Sequence, residues 1–177
     1  MPLMKILDLG CGNNKKSGAT GIDYNPSSAA DIIHNLDTFP YPLENDLFDD
    51  VLAHNILEHV ADVPKVMGEI WRSAKNGATV EIISPFPSSR WLHADPTHRR
   101  AFISKTLDFF IPGKDFYGNL PTLAKFELIE VTYQKDSCSW WDALLLKLAN
   151  RFKDHYESYF MYSYQVHAIR FNLKVIK

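Results

Sequence analysis

The chain has 177 residues, 46% of them apolar and 23% charged, with a formal net charge of −2. That length and composition suit one globular domain with a full core and exclude a disordered chain. No apolar run nears the roughly 20 residues of a spanning helix, so no transmembrane segment is expected.

Two cysteines, Cys11 and Cys138, are too few for a disulfide framework, and no C-x-x-C pair suggests zinc. The opening MPLMKILDLG runs straight into a strand-like segment with no leader pattern, so a cytoplasmic, reduced protein is the expectation. Charge is uneven: residues 1–89 hold 6 Lys+Arg and 12 Asp+Glu, whereas residues 90–177 hold 13 and 9. The surplus in the second half suits a solvated surface or a basic rim around an anionic substrate. It is too thin for the basic stripe of a nucleic-acid binder, so no strong nucleic-acid signal is present.

Lys5–Leu9 is a short apolar run that meets a tight turn at Gly10, Cys11 and Gly12, which predicts a buried first strand. Ala19–Asp23, Asp31–His34 and Phe48–Ala53 read as the next three strands. Asp62 is a good N-cap, Pro64 suits a first turn, and Val63, Val66, Met67, Ile70, Trp71 and Ala74 recur at helical spacing. Gly77 supplies the expected stop, and Ala78–Ser84 reads as a fifth strand.

Residues 85–101 hold three prolines, three arginines and two histidines without periodicity, a stretch of the kind that is often functional. Ser104 is placed to cap a short helix through Phe110. Lys125–Gln134 reads as a sixth strand, Ser139–Phe160 as an amphipathic helix, and Val166–Ile176 as a seventh strand. Strands alternating with short connections and helices predict a mostly parallel sheet.

The bend Asp8-Leu9-Gly10-Cys11-Gly12 lies where ligands bind in open parallel sheets, beyond the strand ends, and its small residues admit a ligand to the backbone. Lys15 stands where a dinucleotide fingerprint wants a third glycine, which disfavours a nicotinamide cofactor. Asp23, just past the second strand, suits two ribose hydroxyls, or the cap of a turn.

Together, LDLGCG (7–12), GID (21–23), HNLDTFPYP (34–42), FDDVLAHNILEHV (48–60) and KNGATVEIISP (75–85) resemble the class I S-adenosylmethionine-dependent methyltransferases, especially the type 11 group. The resemblance covers about half the chain, and its weight lies in the order of the motifs. It implies a Rossmann-like three-layer α/β sandwich whose seven-stranded, mostly parallel sheet has an antiparallel last strand. The cofactor it implies is S-adenosylmethionine. Gly10 and Gly12 would pass close to its methionine part, with Cys11 between them and Asp8 near its amino group. Asp23 would bind the ribose, Tyr24 would lie against the adenine, Asn35 would accept from the adenine amino group and Leu36 would pack on the ring. His54 and Asn55 would face the sulfonium, while Glu58 and His59 match an L-E-H signature that is more often structural.

Two departures from the family bear on the site. Only eight residues separate Gly12 from Gly21, so the first helix must be missing or cut to about one turn. Asn35 replaces an acid and keeps the acceptor oxygen without its charge. The sequence also opens at the first strand, without the helices that often cover the pocket in the family.

His93-Ala94-Asp95-Pro96-Thr97-His98-Arg99 gathers two imidazoles and a carboxylate. The run suits substrate contact or a general base, an ordinary turn capped by Asp95, or a metal. Some members of the resembling group carry a similar D-P-T-H run. His98, His93 and Asp95 are therefore the catalytic candidates, and no metal is assigned because no further ligand is placed.

Family members commonly join the last two strands by a short hairpin, so Ser139–Phe160 reads as an insertion. Its stripe of Trp141, Leu145, Leu148, Phe152, Tyr156 and Tyr159 suits a helix packed on the sheet, a lid over the pocket, or a dimer or membrane-surface contact.

The expectation is a single methyltransferase-like domain over 1–177, with a substrate-side segment at 85–122 and a helical insertion at 138–163 through which a homodimer could form. The expected activity is methyl transfer to a small-molecule, lipid or glycan acceptor. The alternative is a non-catalytic S-adenosylmethionine-binding or partner module with the same fold. Amino-methylation of a nucleic-acid base is disfavoured, because His54-Asn55-Ile56-Leu57 stands where an Asn/Asp-Pro-Pro-aromatic motif would.

Overall fold

The computed structural model describes residues 4–114, 124–135 and 139–177. Cys138 and parts of the 85–122 and 138–163 segments, at 115–122 and at 138, lie outside these residues.

Seven strands form one sheet: β1 (Ile6–Leu9), β2 (Ala19–Asp23), β3 (Ile32–Ile33), β4 (Phe48–His54), β5 (Ala74–Pro85), β6 (Lys125–Gln134) and β7 (Ala168–Ile176). Their order is β3-β2-β1-β4-β5-β7-β6. The first five pair in parallel, and β7 runs antiparallel to both β5 and β6. This is the Rossmann-like sheet with an antiparallel last strand. Leu7, Leu9, Ile22, Val51, Ala53, Val80 and Ile82 are all buried, as expected of strands whose two faces are covered.

Helix α1 (Val63–Ser73) connects β4 to β5 and buries Val66, Met67, Ile70 and Ser73. Asp62 caps it by accepting from the Lys65 amide at 3.0 Å. The helix ends earlier than the Gly77 signal predicts, and β5 starts at Ala74. Its last carbonyls explain this: the Asp46 amide donates to Arg72 O and the Leu47 amide to Ser73 O, so the segment before β4 satisfies them.

No helix stands between β1 and β2, as the eight-residue spacing predicts. Turns replace it, held by the Lys16 amide donating to Asp8 Oδ2 at 2.7 Å and by a Lys15–Asp31 ion pair at 2.7 Å. The turns that join β2 to β3 and β3 to β4 are likewise free of helix.

Two other regions differ from the sequence reading. A short helix, α2 (Arg90–Ala94), interrupts the segment expected to be irregular, with Ser89 as its N-cap. Ser104 caps nothing; its amide and hydroxyl donate to Glu157, and only a 3-10 turn forms at Asp108–Phe110.

The expected single helix at Ser139–Phe160 is broken at Phe152 into α3 (Trp140–Arg151), a short α4 (Lys153–His155) and a π-turn at Tyr156–Phe160. Ser139 and Asp142 form a full capping box at the start of α3. Of the predicted stripe only Tyr156 is buried, whereas Trp141, Leu145, Leu148, Phe152 and Tyr159 face outward. Among the described residues no helix is long and apolar enough to cross a membrane.

Candidate active site

The strand order reverses between β1 and its neighbours β2 and β4, and such a switch point opens a crevice beyond the carboxyl ends of the strands. A cavity of about 820 Å³ lies there, lined among others by Gly10, Asp23, Tyr24, Asn35, Leu36 and Asn55. Six of the ten sequence-derived cofactor candidates therefore share one cavity.

Gly10 has φ 65°, and a Cβ there would lie 2.4 Å from Ile56 Cγ1, so backbone alone fits between β1 and the loop after β4. Gly10→Ala should cost about 1–3 kcal/mol of stability by overpacking. It should also lower cofactor affinity. An unchanged melting temperature with normal binding would mean that Ile56 yields.

Asp23 is 8% exposed. Its Oδ2 accepts from the Gly12 amide at 2.9 Å and its Oδ1 from the Asn25 amide at 2.8 Å, which fixes the carboxylate at the cavity wall. Each oxygen keeps a second lone pair for an incoming hydroxyl. The Gly12 amide thus holds Asp23 in place.

The remaining four candidates do not line this cavity. Asp8 is buried and ties down the turn at Lys16. Burial pushes the Cys11 thiol up, with the Asp8 and Asp23 charges adding to the effect. His54 is turned to β5, its Nε2 2.7 Å from Glu81 Oε1.

Sequence reasoning did not assign Asp37, Ile56, Val60, Thr97 or Arg99, which also line the cavity. Asp37 lies two residues after Asn35 in the quoted HNLDTFPYP run, so its position was the available signal. The others arrive from loops whose course no periodicity reveals.

A second cavity of about 840 Å³ adjoins the first, and the two share Asn55, Asp95 and Pro96. Glu58, Trp91, His98, Gln134 and His167 also line it. Arg100 anchors this side by donating to the carbonyls of Val60 and Ala61, and the Arg99 amide donates to Glu58 O at 2.8 Å. These bonds bring the 95–100 segment down onto the 57–61 turn.

His98 is therefore delivered beside Glu58, with its Nε2 4.0 Å from Glu58 Oε1 and 3.9 Å from Asp95 Oδ2. His98 Nδ1 lies 3.0 Å from Leu92 O. A carbonyl only accepts, so Nδ1 carries the proton and, in the neutral ring, Nε2 keeps the lone pair. Asp95 Oδ1 is occupied by the Thr97 amide and hydroxyl, bonds that hold its carboxyl below the ordinary range. His93 is exposed, its Nε2 3.3 Å from Pro87 O, and lines neither cavity.

Glu58 is fully buried; its Oε2 accepts from the Ser84 hydroxyl at 3.1 Å, and its Oε1 has no protein partner. Burial raises its pKa above the ordinary 4.5. A carboxyl raised in the folded state contributes stability below 4.5, and that contribution is lost as pH rises through the folded value. Glu58→Gln should therefore gain melting temperature relative to the wild type as pH rises above about 4.5. A pH-independent difference would show that Glu58 ionises without cost. Burial also pushes His59 down, with His98 contributing, and ligand atoms of Glu58, His59 and His98 lie within 4.8 Å of one another.

Residues 7–82 match the family described as "Methyltransferase domain". None of the curated proteins matches the chain. Among solved structures, a SAM-dependent methyltransferase from Archaeoglobus fulgidus is similar at 18% identity and TM-score 0.60, over 98% of this chain and 86% of that one. One from Mesorhizobium loti is similar at 14% identity and TM-score 0.58, over 97% and 90%. Phosphoethanolamine N-methyltransferase 2 from Haemonchus contortus, solved with S-adenosyl-L-methionine, is similar at 14% identity and TM-score 0.58, over 98% of this chain and 48% of that longer one. At such identities the structural likeness carries the fold.

The match places a methyltransferase domain over residues 7–82, and the whole chain has the Rossmann-like fold of the S-adenosylmethionine-dependent methyltransferases to which it is similar. That domain is of the type 11 kind, and the cofactor it points to is S-adenosylmethionine. The first cavity fits that group: Asp23 offers a fixed buried acceptor, Leu36 an apolar floor, and Gly10 an approach to backbone.

Proposed function

We propose that the chain methylates a hydroxyl of a small-molecule, lipid or glycan acceptor, bound in the second cavity, in a cytoplasmic setting. The observation that carries this reading is the adjacency of the two cavities across Asn55, Asp95 and Pro96, with the His98 Nε2 lone pair on the acceptor side.

When bound, S-adenosylmethionine supplies a methyl carbon already activated by its sulfonium. The chain then has to position an acceptor oxygen in line with that carbon and receive its proton. Positioning can contribute several kcal/mol. His98 Nε2 accepts the acceptor's proton, while Leu92 O holds the ring in the required tautomer. Glu58, 4.0 Å from the same nitrogen, is held toward its neutral form by burial and leaves the charge of the resulting imidazolium to Asp95. Asp95 presents its second oxygen to the same ring. His93, which faces Pro87 O, is left as an outer contact.

Titration calorimetry with S-adenosylmethionine, followed by a radiolabelled methyl-transfer screen over hydroxylated lipids, glycans and small metabolites, tests this reading. Micromolar binding with transfer to one acceptor class supports it. Binding without transfer to any class would favour the non-catalytic partner module, and no binding would overturn the cofactor site itself.

A further inference from the structure

Helix α3 turns only its narrow side inward. Leu146 and Ala149 pack on the core, and the Asn150 amide group bonds the Tyr133 backbone in both directions, Oδ1 accepting at 2.7 Å and Nδ2 donating at 3.2 Å. The outer side carries Trp141, Leu144, Leu145, Leu148 and Phe152, which are 43–57% exposed. Their spacing of three, four, seven and eleven residues makes one continuous stripe. Trp140 extends it, 69% exposed and stacked on Trp141 with ring centroids 3.7 Å apart. An apolar stripe of this length in water is costly unless something covers it.

The charges beside the stripe indicate what does. All three carboxylates between 139 and 164 are taken up by the protein. Asp142 pairs with Lys135 at 2.6 Å and Asp154 with Lys105 at 2.8 Å, while Glu157 accepts from Ser104 and Tyr133. Lys147 and Arg151, one turn apart along the edge of the stripe, are exposed and have no carboxylate partner among the described residues. Two cations without a carboxylate partner put like charge on both sides of a twofold contact, which disfavours a second copy of the chain as the cover. An anionic surface would pair them. Tryptophan is also the residue that settles between an apolar phase and headgroups.

We propose that this face of α3 docks on a membrane surface bearing anionic lipid headgroups. Trp140, Trp141, Leu145, Leu148 and Phe152 enter the interface, and Lys147 and Arg151 meet the headgroups. Docking is independent of whether methyl transfer occurs.

The test is flotation of the full chain with vesicles of phosphatidylcholine alone and of phosphatidylcholine with phosphatidylglycerol, at low and high salt. Binding is expected to the mixed vesicles and to weaken with salt. K147Q/R151Q should lose roughly 20- to 30-fold in partitioning. L145S/L148S should lose roughly a hundredfold. Both should melt like the wild type, because the replaced side chains are exposed. Absence of vesicle binding, equal binding to both lipid mixtures, or binding that neither variant alters would overturn the proposal. So would a dimer that L145S/L148S dissociates without any vesicle association, which would assign the face to a second copy.

Discussion

Asp23→Ala is expected to lower affinity for S-adenosylmethionine roughly 10- to 150-fold, about 1.5–3 kcal/mol, in titration calorimetry. The size of the effect comes from burial. At 8% exposure the carboxylate is fixed by the Gly12 and Asn25 amides, so a ribose hydroxyl meets an acceptor that needs no reordering. Removing it also strands the Gly12 amide and frees the turn after β1. Asp23→Asn separates these effects, since it keeps an acceptor oxygen for one amide and loses the charge. Equal affinity in the wild type and Asp23→Ala would remove Asp23 from the ribose role.

His98→Ala is expected to lower kcat by roughly 10²- to 10⁴-fold on a hydroxyl acceptor. Cofactor affinity should stay unchanged, because His98 lines the second cavity and not the one that holds Asp23. The readout is single-turnover transfer beside calorimetry of the same preparation. Parallel loss of both quantities would identify a packing role next to buried Glu58 instead. Retained turnover would move the proton to another group.

Local chemistry made much of the fold legible. An apolar run ending in Gly10, Cys11 and Gly12 marked β1, and Asp62 with Pro64 marked the start of α1. The end of α1 was misplaced because its terminal carbonyls are satisfied by Asp46 and Leu47, partners that lie well before it in the chain. The outer stripe of α3 was legible as a stripe, but periodicity does not say which side meets the protein. Asn150 and Ala149 decide that through contacts with Tyr133 and the core.

In the site, Asp23 and the glycines could be found because the backbone bend and the acid are close in sequence. The link between Glu58 and His98 could not. It depends on Arg99 and Arg100 fastening one loop to another forty residues earlier. His54 illustrates the converse: its motif position pointed to the cofactor, yet Glu81 on the adjacent strand takes its ring.

Asn55 has a φ of 51°, a left-handed conformation that asparagine tolerates and β-branched or bulky residues resist. It forms part of the wall of both cavities. A mutation that reshapes the acceptor side at this position must also preserve that backbone turn and the cofactor side. On the proposed reading, divergence toward new acceptors is thus steered away from residue 55 and toward Trp91, Gln134 and His167, which line the second cavity and not the first.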